Sequence, residues 1–376
     1  MTLQVRQGRP AEWKEILAVS QAAFNVDHTY FPKGWPHTYP DPSAAEWFVV
    51  CVDEGKIIGV INQTPVALRI AGVRLKAVGI GGVGVLPEAR KRGAMSAMLR
   101  ASNAWQNQAG TVLGFLGGER IRYRRYGYEL AGERVTAMIT HKQLADAEPV
   151  RMRRLTRKDA AGVLRLYRRS PLWVDRDAVW QERLLRRSGF VAYGNASGLL
   201  RAYLVIGKGA PQGVHELVGE ARLLPGLLNA HLRRWKLGSI QCAWIPEYAP
   251  HVELGRNAGW MSSNAAQQVR VFDFERFLRQ MAGPLGAGFR RLGVSGAVRV
   301  RHRDEGTSFD LALNRTGVLS VAPAQGKGKP DVAMDAAGWV RTFFPPPGGP
   351  MPAPRADARL LAAMALPLNF SAWDSL

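Results

Sequence analysis

Cysteine is nearly absent from this 376-residue sequence, which has only Cys51 and Cys242. That excludes a disulfide scaffold and a cysteine-rich zinc site. Each cysteine sits in an apolar run, so core thiols are expected. The seven histidines are scattered without a His-x-x-x-His pair, so no metal site is expected. No apolar run reaches the ~18 residues that a membrane span needs. The opening MTLQVRQGRPAEWKEI is charged and shows no secretory pattern. The expected setting is therefore cytoplasmic. A Gly-x-Ser-x-Gly elbow, a Walker loop and a Rossmann glycine fingerprint are all missing.

Acidic side chains are also scarce. Thirty Asp and Glu face 51 Lys and Arg, a formal net charge of +21 with a pI near 10.6. Residues 1–147 carry +6 (18 basic, 12 acidic), residues 148–278 carry +10 (21, 11) and residues 279–376 carry +5 (12, 7). The excess is spread along the chain. Its densest stretch, Arg151–Arg187, holds twelve basic side chains and reads as a solvated arginine face on amphipathic helices. An anionic-polymer partner is the alternative, although no helix-turn-helix, zinc-finger or RNA-binding signature accompanies the charge.

Periodicity points to an α/β (α+β) fold in three units. In the first, residues 11–24 form a helix, 46–52 and 57–70 a hairpin, and 75–86 a glycine-studded strand. Helix 91–108, strand 112–116, a helical turn at 120–126 and strand 135–140 follow. In the second, helices are expected at 157–169, 178–187 and 223–235. Strands are expected at 199–206, 214–218, 239–244 and 268–274. In the third, strands at 297–302, 308–313 and 317–322 precede a segment at 332–344 that turns from strand to helix, and a helix at 355–365. The order of elements in the second unit loosely echoes the first.

The segment that carries chemistry is GIGGVGVLPEARKRGAMSAML, residues 79–99. A strand ends at Pro87, a basic turn follows, and a helix opens. Free N–H groups at a helix start lie at the positive end of its dipole and capture anions. Gly93 lets a phosphate approach the backbone, and Arg90, Lys91 and Arg92 add charge.

Arg90-Lys91-Arg92-Gly93-Ala94 resembles the Arg/Gln-x-x-Gly-x-Gly/Ala pyrophosphate loop of the Gcn5-related N-acetyltransferases (GNAT), with Met95 at the final position. The Val-x-Val-x-Pro-x-x-Arg-x-x-Gly run resembles one branch, the enhanced intracellular survival (Eis) acetyltransferases. So does the later Gly118-Glu119-Arg120-Ile121-Arg122-Tyr123-Arg124-Arg125-Tyr126-Gly127-Tyr128. Glu119, Tyr123, Arg125, Gly127 and Tyr128 match that family's Ser-Glu-Gly-Gly-Ile-Tyr-Gly-Arg-Phe-Gly-Tyr motif. The resemblance implies two tandem GNAT-like mixed-sheet domains, 1–147 (catalytic) and 148–278 (degenerate). A sterol-carrier-protein-like α+β domain, 279–376, follows them.

The same resemblance implies an acetyl-CoA-dependent N-acetyltransferase without a metal. Val83, Gly84 and Val85 would hold the pantetheine and acetyl carbonyl, and Arg90, Lys91, Arg92, Gly93 and Ala94 the pyrophosphate. Tyr123 would protonate the leaving thiolate, and the carboxylate of Leu376 would take the proton of the amine. Asp27, Trp35, Glu119 and Asp374 would line the acceptor side, with Trp35 in a loop that also holds His28 and His37. The acceptor would be an aminoglycoside-like amine, a lysine or another small amine. The positive field favours the less cationic of these. A homo-oligomer, trimer or hexamer, is expected from the family. The rival readings are a non-catalytic acyl-CoA or lipid carrier and a nucleic-acid binder.

Overall fold

The computed structural model describes residues 3–196, 198–255, 258–314, 317–326, 328–347 and 357–375. The first unit contains β1 (Gln4–Gln7), α1 (Trp13–Phe24), α2 (Tyr30–Gly34), β2 (Phe48–Asp53), β3 (Lys56–Ile70) and β4 (Val73–Val85). It continues through α3 (Ala94–Gln108), β5 (Leu113–Leu116), α4 (Arg120–Arg124) and β6 (Glu129–Thr140). The second unit has β7 (Met152–Arg154), α5 (Ala160–Tyr167), α6 (Ala178–Leu185), β8 (Phe190–Asn195), β9 (Ala202–Gly207) and β10 (Ala210–Gly219). Next come α7 (Leu224–Trp235), β11 (Ser239–Trp244), α8 (Ala249–Gly255) and β12 (Trp260–Val271). The third unit has α9 (Phe274–Gln280), α10 (Ala282–Arg291), β13 (Ala297–His302), β14 (Thr307–Leu313), β15 (Leu319–Pro323), β16 (Val332–Met334), α11 (Ala336–Phe343) and α12 (Ala358–Ala363).

Most expected elements are present, and their shifted ends have local causes. Helix α3 starts at Ala94 rather than residue 91 because Lys91 and Gly93 take left-handed backbone angles, φ 65° and 85°. Helix α5 starts at Ala160, after Thr156 and Asp159 close a capping box over the preceding turn. The strand expected at 268–274 runs instead from Trp260 to Val271. It stops there because Asp273 caps α9, its carboxylate accepting the Arg276 N–H at 2.8 Å.

Among the described residues, twelve strands form one sheet in the order β1-β2-β3-β4-β5-β12-β6-β11-β10-β9-β8-β7. Starting from β1, the first unit reads 1-2-3-4-5-12-6. Starting from β7, the second reads 7-8-9-10-11-6-12, the same arrangement. The units therefore exchange their last strands. β12 pairs with β5 (Val269↔Phe115), and β6 pairs with β11 (Ile240↔Ile139). The sheet continues without interruption across residue 147, where the resemblance implied a domain boundary. No local pattern announces the exchange, since strand partners are chosen by contacts far apart in sequence.

The third unit is α+β, with a four-stranded sheet in the order β15-β14-β13-β16. Its Phe309, Leu311, Trp339 and Phe343 share a core with Leu68, Leu113 and Phe115 of the large sheet. Glu129 on β6 also ties these parts together. Its buried carboxylate meets Arg120, Arg124 at 3.5 Å and, from α11, Arg341 at 3.3 Å. Burial alone would raise its pKa, but the arginines outweigh it and hold the carboxyl below its usual range. Both cysteines are free and buried, and burial pushes Cys242 up to about 12. Among the described residues, no helix is long and apolar enough to cross a membrane.

Candidate functional site

Strands β4 and β5 pair in parallel from Ala77↔Leu113 to Ile80↔Leu116 and then separate. β4 continues to Val85, held on its other edge by β3 through Val60↔Gly84 and Gly59↔Val85. A cleft of about 620 Å³ opens beside this stretch, lined by Val83, Gly84 and Val85 and by Ala23 and Phe24 at the end of α1. Gly84 is needed for that closure. A Cβ there would lie 2.8 Å from the Ala23 Cβ and 3.2 Å from the Phe24 ring.

The far side of the cleft is the turn into α3. Arg90, Lys91, Gly93, Ala94, Met95 and Ser96 line it. Gly93 is the N-cap of this 15-residue helix, and a Cβ on it would meet nothing within 4 Å. The first-turn N–H groups of α3 therefore face open space at the positive end of the dipole. Two of the three expected cations are already engaged by protein groups. Arg92 donates to Asp53 at 2.7 Å, tying the turn to the β2–β3 hairpin. The Arg90 guanidinium donates to the Ala23 carbonyl at 3.1 Å. The cleft is also lined by Arg122, paired with Glu119 at 3.2 Å, and by Arg125, on and just after α4. Sequence reasoning did not assign these two to the site. Their spacing, i and i+3 on a short helix, was the available signal.

Three tyrosines follow one another here. Tyr126 donates to the Ser96 Oγ at 2.7 Å, and Tyr128, fully buried, reaches Asn103 at 3.4 Å. Burial pushes Tyr128 well up. Tyr123 is buried on α4 with its ring against Gly118 and in one cluster with Ile80, Leu116 and Phe272. No side-chain hydrogen bond commits its hydroxyl to another described residue. Burial raises its pKa most, Arg122 pulls it back in part, and Glu119 adds to the rise. It is thus the one phenol of the three that is held protonated and unengaged.

On the acceptor side the expected residues are not brought together as free carboxylates. Asp27 is exposed and closes a turn by accepting the Thr29 N–H and hydroxyl at 2.7 and 2.8 Å. Glu119 is exposed and paired with Arg122 at 3.2 Å. Asp374 does not face an acceptor, because it is buried against Arg176 at 2.7 Å. Trp35 ends α2, half-buried, with the Arg187 guanidinium 5.4 Å above its ring. Among the described residues its buried Nε1 has no partner, and neither has Nδ1 of His37. His37 Nε2 donates to the Ser375 carbonyl at 3.2 Å, which fixes the tautomer. Burial, then Arg187, hold His37 well below 6.5, so it is neutral. Leu376 lies outside the described residues, and the described tail ends at Ser375.

Residues 4–131 match the acetyltransferase (GNAT) domain family. That match covers about a third of the chain. No curated protein matches the sequence. Solved structures of similar shape span the whole chain. A GCN5-related N-acetyltransferase from Kribbella flavida is 18% identical, with a TM-score of 0.73 over 100% of this chain and 98% of that one. Eis1 from Mycobacterium abscessus is 16% identical, with a TM-score of 0.68 over 100% of both chains. A protein of unknown function from Enterococcus faecalis, described as a probable N-acyltransferase, is 19% identical. Its TM-score is 0.71 over 91% of this chain and 90% of that one. These likenesses concern the fold. Within it, the β4–β5 cleft and the open start of α3 both lie in the matched residues 4–131.

Proposed function

We propose that the chain moves an acetyl group from acetyl-CoA to a primary amine by direct attack in a ternary complex, within the GNAT domain. The observation that carries this reading is the β4–β5 cleft, joined to the open N-terminus of α3. The separated edge of β4 offers backbone groups at Val83–Val85 to an extended amide chain. The turn at Gly93 offers N–H groups to a pyrophosphate, and Lys91, Arg122 and Arg125 offer charge. The residues present therefore fit a CoA thioester.

The amine nitrogen attacks the thioester carbonyl and the C–S bond breaks. Tyr123 gives its proton to the departing thiolate, whose affinity for a proton is close to that of a phenol. The proton lost by the amine goes to the carboxylate that the Eis resemblance assigns to Leu376. The acceptor is an aminoglycoside-like amine, a lysine or another small amine.

The test is thiol release from acetyl-CoA with a panel of aminoglycosides, lysine peptides and polyamines. Amine-dependent release supports the reading. A chain shortened by Leu376 is expected to lose at least about tenfold of that rate, the lower range for a general base being nearer 10². Tight CoA binding with no release for any amine moves the assignment to an acyl-CoA carrier. Absence of CoA binding removes both.

Gly93 gives a separate check. Gly93→Ala places a Cβ in the open space where the pyrophosphate belongs, at a φ of 85° that L-residues disfavour by about 1–2 kcal/mol. The fold is expected to survive, because nothing else contacts that position. Affinity for CoA is expected to fall about tenfold or more, the equivalent of about 1.4 kcal/mol. Calorimetric titration with CoA measures it, and unchanged affinity argues against the pyrophosphate assignment.

A further inference from the structure

The second unit repeats the geometry of the first. β10 and β11 run parallel through Gly213↔Gln241 and Val214↔Cys242 and then part, as β4 and β5 do. Yet α7 is not open at its start. The Gly226 carbonyl accepts the Val150 N–H at 3.0 Å, and a Cβ at Gly226 would run into the Glu148 carbonyl. Tail residues Leu368–Ala372 lie beside the two strands, lining a cavity of about 220 Å³ together with Val214–Leu217, Gln241 and Ala243–Ile245. The place that holds the cleft in the first unit holds the chain's own tail in the second.

Two buried arginines of the second unit grip that tail. Arg176 reaches Asp374 through Nε at 2.8 Å and Nη2 at 2.7 Å. Arg187, just past α6, donates to the Trp373 carbonyl at 2.5 Å and the Ser375 hydroxyl at 2.9 Å. Its Nε donates to the Gly34 carbonyl at 2.7 Å. One guanidinium thus binds both the tail and the end of α2 in the first unit. His37, three residues on, completes the seam through its bond to the Ser375 carbonyl. Arg187 is 4% exposed and was expected, with its neighbours, on a solvated face.

We propose that Arg187 is a positioning residue, fixing tail residues 373–375 against the 34–37 loop, and that the second unit serves this chain as the holder of its tail. This rests on the acetyltransferase reading only for its catalytic consequence. A planar fork whose three nitrogens point along different directions can satisfy three separated acceptors from two units at once, a spread that the single nitrogen of an ammonium does not span. Small misplacements of a reacting group cost on the order of 10²-fold in rate.

The experiment uses the full chain with Arg187→Met and Arg187→Lys. Backbone hydrogen exchange is read by mass spectrometry on the peptide spanning 366–375, with thiol release read on the same samples. In Arg187→Met the tail peptide is expected to exchange faster while peptides of β3 and β9 stay protected, which shows that the fold persists. The kcat is expected to fall on the order of 10²-fold with KM for acetyl-CoA unchanged. Arg187→Lys is expected to restore part of both. Tail protection equal to wild type in Arg187→Met overturns the clamp. Lost protection with unchanged kcat reduces Arg187 to a structural contact and overturns the positioning role. Wild-type protein without amine-dependent release defeats the acetyltransferase reading and the positioning role together, while exchange still decides whether the tail is held.

Discussion

Replacing Tyr123 by Phe is expected to lower amine-dependent thiol release by about 10²-fold or more, the usual contribution of a positioned general acid. CoA affinity should stay within about twofold, because the phenol's proton matters only when the C–S bond breaks. The pH profile gives the sharper signature. Tyr123 can donate only while protonated, and burial lifts its pKa above the ordinary 10, with Arg122 opposing in part. Wild-type kcat should therefore hold into alkaline pH and decline as pH rises through the raised value. In Tyr123→Phe the decline disappears along with the rate that it shaped. Tyr128→Phe, whose hydroxyl is buried near Asn103, is the control for a loss of packing. An unchanged rate in Tyr123→Phe would transfer the acid role elsewhere.

Replacing Arg176 by Met is expected to produce the largest loss of stability. Arg176 lies between Glu216 at 2.6 Å and Asp374 at 2.7 Å, and all three side chains are at most 1% exposed. Tyr203 donates to Glu216 at 2.5 Å, Trp180 Nε1 donates to Asp374 at 3.2 Å, and the Tyr167 ring stacks 3.6 Å from the guanidinium. Removing the cation leaves two carboxylates uncompensated in a dry site, at a cost of about 3–5 kcal/mol. The melting temperature should drop on the order of 10 °C.

The sign with pH follows from linkage. Without Arg176 both carboxyls bind protons more tightly folded than unfolded, so folding gains stability as pH falls. The deficit should be smaller at pH 5 than at pH 8. The triple variant Arg176→Met, Glu216→Gln, Asp374→Asn removes the charge together with its partners and should recover much of the loss. A single variant as stable as wild type at pH 8 would show that the cluster is solvated in solution.

The sequence alone determined what depends on neighbours along the chain. Hydrophobic period placed most strands and helices, because side-chain period follows directly from backbone geometry. The turn at Arg90–Ala94 was legible because a helix start, a glycine and a basic run are local features. Residues 4–131 accordingly match the acetyltransferase (GNAT) domain family that the motif resembled. What could not be read there is partnership at long range. The exchange of β6 and β12 between units depends on which edges meet, and a strand's pattern says only that it has an inner face. The arginines show the same limit. Arg92 turns to Asp53, Arg176 is buried with Asp374 and Arg187 holds the tail, although in the sequence each is one more basic residue. A charge's role is set by its burial and its counter-charge, and both arise only when distant segments pack together.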